Sequence, residues 1–151
     1  MEKYFIVVRD NHRDKISLAE QIKKTIINKG GTCEYSTLGN ACKVPEDTQC
    51  ILAIGGDGTV IRAAQNSFGS DIPLLGINYG HMGYLCDLDK DSVFSAIDRL
   101  FRDDYDVEKR MMLKGYIAPS EGKCDVSPAL NDIIIRSTED QHVVRLSVYV
   151  N

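Results

Sequence analysis

No apolar run in this chain reaches the roughly 18 residues that a membrane-spanning helix needs. Positive charge is not in excess either. Against 22 Asp and Glu stand 18 Lys and Arg, a formal net charge of -4 at pH 7, which argues against general nucleic-acid binding. The N-terminal run Met1-Glu2-Lys3-Tyr4-Phe5-Ile6-Val7-Val8-Arg9 is too short and too soon charged to be expected as a signal peptide, and it reads as a first strand. The five cysteines, Cys33, Cys42, Cys50, Cys86 and Cys124, are odd in number and contain no CxxC pair. That spacing offers neither a zinc pattern nor a disulfide framework, so the expectation is reduced thiols in the cytoplasm and no metal-ligating residues. Cys86 reads as a small core residue. Internal repeats and low-complexity segments are missing. So are a GxGxxG fingerprint in good register and a P-loop lysine, which weighs against a dehydrogenase and a Walker-type NTPase.

What is present centres on Ile51-Leu52-Ala53-Ile54-Gly55-Gly56-Asp57-Gly58-Thr59-Val60-Ile61-Arg62. A buried-strand pattern runs into a glycine-dense turn with one carboxylate in it, and a helix is predicted from Thr59. Glycines allow a backbone to approach a ligand closely, and a helix start offers free N–H groups to an anion. A carboxylate beside phosphates would be repelled by them. Asp57 therefore suits a hydroxyl, a proton or a metal better than the phosphate itself. The competing view is a tight turn with a solvent-facing Asp.

The chain around this run alternates. Strands are predicted at 4–8, 32–36, 49–54 and 73–78. Helices are predicted at 15–28, with Asp14 as cap and Ile16, Ala19, Ile22, Ile26 and Ile27 as its apolar stripe, from Thr59 onward, and at 92–102. This predicts an α/β fold: a Rossmann-like, mostly parallel sheet with helices on both faces. Ligands gather at the C-terminal strand ends of such sheets. Both glycine loops, 55–58 and the Tyr79-Gly80-His81-Met82-Gly83-Tyr84-Leu85 segment, belong there. From Tyr105 the pattern changes to strands at 106–118, 129–136 and 143–150 without helices between. The predicted organisation is an α/β nucleotide-binding domain over 1–104 and the start of a β-rich second domain over 105–151.

Three segments in order resemble the NAD kinase family. Ile54 to Arg62 resembles its GGDGT-x-L-R segment. Leu75-Gly76-Ile77-Asn78-Tyr79-Gly80-His81-Met82-Gly83-Tyr84-Leu85-Cys86-Asp87 resembles G-I-N-x-G-x-L-G-[FY]-L-x-[DE]. Ala129-Leu130-Asn131-Asp132-Ile133-Ile134-Ile135 resembles its A-L-N-[DE] strand. The resemblance implies phosphoryl transfer from ATP or polyphosphate, with Mg accompanying ATP, to the 2′-hydroxyl of the adenosine ribose of NAD, giving NADP. It further implies Asp57 as the catalytic proton acceptor, contacting the ligand together with Gly58, with Arg62 near the bound nucleotide. Asn131 and Asp132 are implied to bind adenine and ribose, and His142 falls where members have a ligand-contacting His or Arg. The resemblance also implies a homo-oligomer for the full-length protein. Members are also longer, continuing with a segment resembling G-[ST]-[ST]-A-Y-[ST], so the chain is expected to be an N-terminal part that forms no NADP alone.

The residue types agree with this chemistry independently. Phosphoryl transfer asks for positioning, charge neutralisation and a residue that orients the attacking hydroxyl. Asn131 offers both a donor and an acceptor to a base edge. Arg62 suits either a diphosphate or a structural ion pair. Tyr84 suits an adenine pocket or the core, Asn78 a bracing role or a ligand contact, and His81 a phosphate neighbour or a bystander. Two alternatives stand beside the kinase: a lipid or sugar kinase sharing the glycine turn, and a nucleotide-binding module without catalysis.

Overall fold

Tyr4 to Val8 are all buried in strand β1 (Lys3–Val8), as a continuous apolar run demands when neighbours cover both faces and both edges. The computed structural model describes residues 1–9, 12–37, 43–80, 83–117, 124–137 and 143–149. After β1 come α1 (Arg13–Asn28), β2 (Thr32–Thr37), β3 (Cys50–Gly55), α2 (Asp57–Asn66), β4 (Leu74–Asn78), β5 (Leu88–Asp89) and α3 (Val93–Phe101). The five strands form one sheet in the order β2-β1-β3-β4-β5, every neighbouring pair parallel. The chain thus builds outward from β1 to one side, then returns and builds to the other. That reversal puts the topological switch point between β1 and β3.

Alternate side chains of the central strands serve opposite faces. Tyr4, Ile6, Val8, Leu52, Ile54 and Ile77 pack with Leu18, Ala19, Ile22 and Ile26 of α1 and Val93, Ile97 and Leu100 of α3. Phe5, Val7, Ile51 and Ala53 pack with Val60 and Ala63 of α2. Helices therefore cover both faces, as expected. Ile6, Ile22, Leu52, Ile54 and Ile77 are fully buried, each contributing about 1.5–3 kcal/mol of transfer free energy.

Several boundaries differ from the expectation. α1 starts at Arg13, with His12 in extended conformation as its N-cap; Asp14 lies inside the first turn, where a carboxylate complements the helix dipole rather than capping an N–H group. Ile27 is half exposed and Leu18 takes its place in the core. α2 begins at Asp57 rather than Thr59, Gly56 being its N-cap. β5 was not expected: its two residues pair with Ile77 and Asn78 of β4. Asp89, the second of them, accepts hydrogen bonds from Ser92 N (2.7 Å), Ser92 Oγ (2.7 Å) and Asp91 N (3.1 Å), which lower its pKa and steady the approach to α3.

Beyond α3 the described strands are short. β6 (Tyr116–Ile117) and β7 (Cys124–Asp125) pair antiparallel, and Leu113 and Ala129 exchange backbone hydrogen bonds of 2.8 and 2.9 Å. The expected strands at 129–136 and 143–150 are otherwise absent from the described residues. A strand needs a neighbour for its N–H and C=O groups, and no described strand lies beside Ile133–Ile135 or 143–149, whose apolar side chains are exposed. Among the described residues no helix is long and apolar enough to cross a membrane.

Candidate functional site

Strand β3 delivers its last residue, Gly55, to the C-terminal edge of the sheet. Gly56 then extends the backbone and α2 opens, with Thr59 N and Val60 N donating to Gly56 O at 2.8 and 3.4 Å. Asp57 is the first helical residue and is half-buried. Its carboxylate spans to the second glycine loop: Tyr84 N–H donates to Oδ2 and Leu85 N–H to Oδ1, both at 3.0 Å. An ionised carboxylate has about four acceptor sites. With one N–H on each oxygen, both oxygens keep a lone pair for an incoming hydroxyl.

Gly83 makes this clamp possible. A Cβ built there would overlap the Asp57 carboxylate, so the loop can approach only with hydrogen at that position. Further ties hold the two loops together. Tyr79 N–H and the Cys86 thiol donate to Gly55 O at 3.1 and 3.6 Å, and Asp87 N–H donates to Gly76 O at 3.1 Å. Partial burial, then the negative charges of Asp57 and Asp87, push the Cys86 thiol up, which keeps it a protonated donor. Cys86 is thus half-buried, packed against the edge of the core formed by Phe5, Val7, Ile51, Ala53, Val60 and Ala63, as well as tied to the site.

Among the described residues, two buried oxygens beside this junction have no partner: Thr59 Oγ1 and Asn78 Oδ1. Thr59 is wholly buried, and its Oγ1 lies against Gly55, where any Cβ would collide with it. A lone buried hydroxyl costs desolvation without return. Thr59→Val should therefore leave stability unchanged or raise it by up to about 1 kcal/mol in urea unfolding. A loss above about 1.5 kcal/mol would show that the hydroxyl has a partner in the free protein.

The other expected site residues are placed as follows. Gly58 adjoins Asp57 in the first turn of α2. Arg62 is exposed and, five residues on, lies about 140° around the helix from Asp57; among the described residues it has no ion pair. The Tyr84 side chain is 96% exposed and fills no core, while its backbone N–H serves Asp57. Asn131 and Asp132 are exposed and are not hydrogen-bonded to the Asp57 turn. Their segment is tied to α2 further along, where Gln65 Nε2 donates to Pro128 O at 3.0 Å. His81 and His142 lie outside the described residues. Among the described residues no group of three or more His, Cys, Asp or Glu is set to hold a metal ion. A groove of about 1010 Å³ runs along α2, β4 and α3, lined by Phe68, Leu74, Leu75, Leu88 and Leu100 among others; Asp57 and Gly58 do not line it. The polar chemistry is on the sheet edge, not in that groove.

One residue figures in the sequence only as part of the N-terminal run Met1–Arg9. Arg9, directly after β1, packs its guanidinium on Gly58: a Cβ added to Gly58 would lie 2.9 Å from an Arg9 Nη. The strand order, which puts β1 beside β3, is the signal that brings them together.

Comparison with known proteins bears on this arrangement. Residues 34–105 match the model of the ATP-NAD kinase N-terminal domain. The chain is 40% identical over 160 residues to an NAD kinase of Agathobacter rectalis, covering 99% of this chain and 55% of that protein. It is 33% identical over 159 residues to a bifunctional NADP phosphatase/NAD kinase of Methanococcus maripaludis, covering 97% of this chain and 28% of that protein. The chain thus spans about half the length, or less, of these relatives. Among solved structures, a yeast NADH kinase complexed with NADH superposes with a TM-score of 0.66 at 12% identity, covering 87% of this chain and 47% of that one. That likeness establishes the α/β fold.

Proposed function

We propose, since this chain belongs to the NAD kinase family, that it carries the acceptor-activating part of an NAD kinase: a phosphoryl group passes from ATP or polyphosphate to the 2′-hydroxyl of the adenosine ribose of NAD. The observation that carries this reading is the Asp57 carboxylate held by Tyr84 N–H and Leu85 N–H at 3.0 Å each, with acceptor capacity left over. A ribose hydroxyl has too high a pKa to ionise beforehand. Asp57 accepts its hydrogen bond early and its proton late, as bond formation to phosphorus lowers the hydroxyl pKa. Held from two sides, the carboxylate needs no reorganisation when the hydroxyl arrives, and positioning is most of what phosphoryl transfer requires. Magnesium arrives with ATP as part of the substrate.

The remaining assignments belong to the same proposal. Residues 1–104 form the nucleotide-binding α/β domain, and 105–151 the beginning of a β-rich one that brings Asn131, Asp132 and His142 to the adenosine. Arg62 and the Tyr84 ring flank the nucleotide. The protein works in the cytoplasm as a homo-oligomer. Asn131→Ala should weaken NAD binding by about 1–3 kcal/mol, the loss of hydrogen bonds to a base edge, with kcat changed far less. Calorimetry showing unaltered NAD affinity would remove Asn131 from the adenine site.

The reading as a whole is tested by assaying the natural protein that carries this chain with NAD, ATP or polyphosphate, and magnesium, using an NADP-specific cycling readout. NADP formation is the expected result. NAD binding without turnover would identify a binding module instead. Absence of both would refute the proposal.

A further inference from the structure

We propose that Gln65 is a positioning residue for the nucleoside: from α2 it holds the segment that carries Asn131 and Asp132 at a fixed distance from Asp57. This deepens the kinase proposal and rests on it for the roles of Asn131, Asp132 and Asp57, though not for the tie itself.

Three observations carry it. The first is the tie. Gln65 Nε2 donates to Pro128 O at 3.0 Å, in a half-buried setting and across 63 positions of the chain. Pro128 has no N–H, so its carbonyl is the one backbone group by which the chain can be held there. The backbone hydrogen bonds nearby stay within the later segment: Leu113 with Ala129, and Val126 N–H to Gly115 O at 3.0 Å. The Gln65 side chain instead reaches across from the α/β part.

The second is that the held segment is stiff. Proline fixes φ at position 128. The next residue, Ala129, is buried and exchanges two backbone hydrogen bonds with Leu113. Leu130 then lines the groove together with Val60, Ala64 and Phe68. Asn131 and Asp132 follow at once. A displacement at Pro128 meets no slack link that could absorb it before it reaches them.

The third is the helix. Gln65 and Asp57 belong to one unbroken helix, α2, and stand about 12 Å apart along its axis. Asn131 is three residues beyond Pro128, at most about 11 Å along a fully extended chain. The helix is therefore a rigid arm between the carboxylate and the tie, and the tie joins that arm to the adenosine pair. A base at Asn131 and a ribose hydroxyl at Asp57 are parts of one small ligand. Both are met together only while this joint keeps its setting.

The test uses the natural protein carrying this chain, as wild type, Gln65→Met, which keeps the shape and loses the donor, and Gln65→Lys, which keeps a donor. Hydrogen exchange is the first arm and needs no substrate. The Leu113 and Ala129 amides should exchange about three- to tenfold faster in Gln65→Met, the loss expected of one hydrogen bond, while amides of β1 and β3 exchange as in wild type. Steady-state kinetics is the second arm. KM for NAD should rise about three- to tenfold in Gln65→Met, with kcat and KM for ATP changed far less, and Gln65→Lys should recover much of the loss. The third arm is a double-mutant cycle with Asn131→Ala. Because Gln65 acts through Asn131, Gln65→Met should add little to the KM for NAD once Asn131 is truncated.

Unchanged exchange at Leu113 and Ala129 would overturn the proposal, as would effects of the two substitutions that simply add. A lower Tm for Gln65→Met with unaltered KM for NAD would mark Gln65 as packing only, and would overturn it too. If the wild type forms no NADP, the kinase reading falls separately, and calorimetry with NAD takes the place of KM. Binding weakened by Gln65→Met then upholds the positioning role, and binding that is equal, or absent in the wild type, overturns it.

Discussion

Asp57→Asn in the natural protein should lower kcat by about 10²- to 10⁴-fold, the usual range for a lost general base, while NAD affinity stays within a few-fold. The substitution has a second effect that the hydrogen bonds define. Tyr84 N–H and Leu85 N–H each donate to one carboxylate oxygen at 3.0 Å. An asparagine presents one oxygen and one NH2 group, so one of the two N–H groups would face a donor. The second loop should loosen, at a cost of about 1–2 kcal/mol in unfolding free energy. Steady-state kinetics and urea unfolding together check both parts. A kcat near that of wild type would remove Asp57 from the chemistry, whatever the stability.

Gly83→Ala should cost about 10²-fold in kcat without removing any reactive group. The new methyl would overlap the Asp57 carboxylate, so either the loop retreats or the carboxylate turns. Displacement of a catalytic group by about 1 Å is enough for a loss of that size. NAD affinity should change much less than kcat, because the atoms displaced are those that meet the reacting hydroxyl. Hydrogen exchange at the Tyr84 and Leu85 amides offers an independent readout: both should exchange faster in the variant. A variant with full activity and unaltered exchange would show that the loop does not position Asp57.

The fold was largely legible because its core elements state their burial in their sequence. Tyr4–Val8 and Cys50–Ile54 are continuous apolar runs and became central parallel strands. Val93, Ile97 and Leu100 repeat at helical spacing and form the inner face of α3. β5 escaped notice because two residues carry no period; only pairing with Ile77 and Asn78 makes Leu88 and Asp89 a strand. The runs at 129–136 and 143–150 show the converse. β-branched composition predicts what a segment does beside a partner, and no described strand is beside them.

At the site, Asp57 and both glycine loops were readable and their connection was not. Tyr84 attracted attention for its ring, which is exposed, whereas its amide is the group that touches Asp57. Backbone donors are the same at every residue except proline, so no sequence pattern singles one out. Arg9 was missed for a different reason. It lies far from Gly58 along the chain, and only the strand order makes them neighbours.

That strand order also sets a sequence of events during synthesis. β1 and β2 share the first crossover unit and can pair as soon as α1 has formed between them. β3 must then find the other edge of β1, joining Tyr4 to Cys50 across the whole of α1 and β2. β4 adds only after that, on the free edge of β3. Long-range parallel pairings close slowly because loop entropy is lost before contacts compensate for it. The amides of Tyr84 and Leu85 come still later in the chain than β4, so the clamp on Asp57 is completed only after β4 has emerged. A nascent chain paused before that point would present the GGDG turn with its carboxylate untethered, and the order of emergence from the ribosome itself delays the site until the sheet beneath it is built.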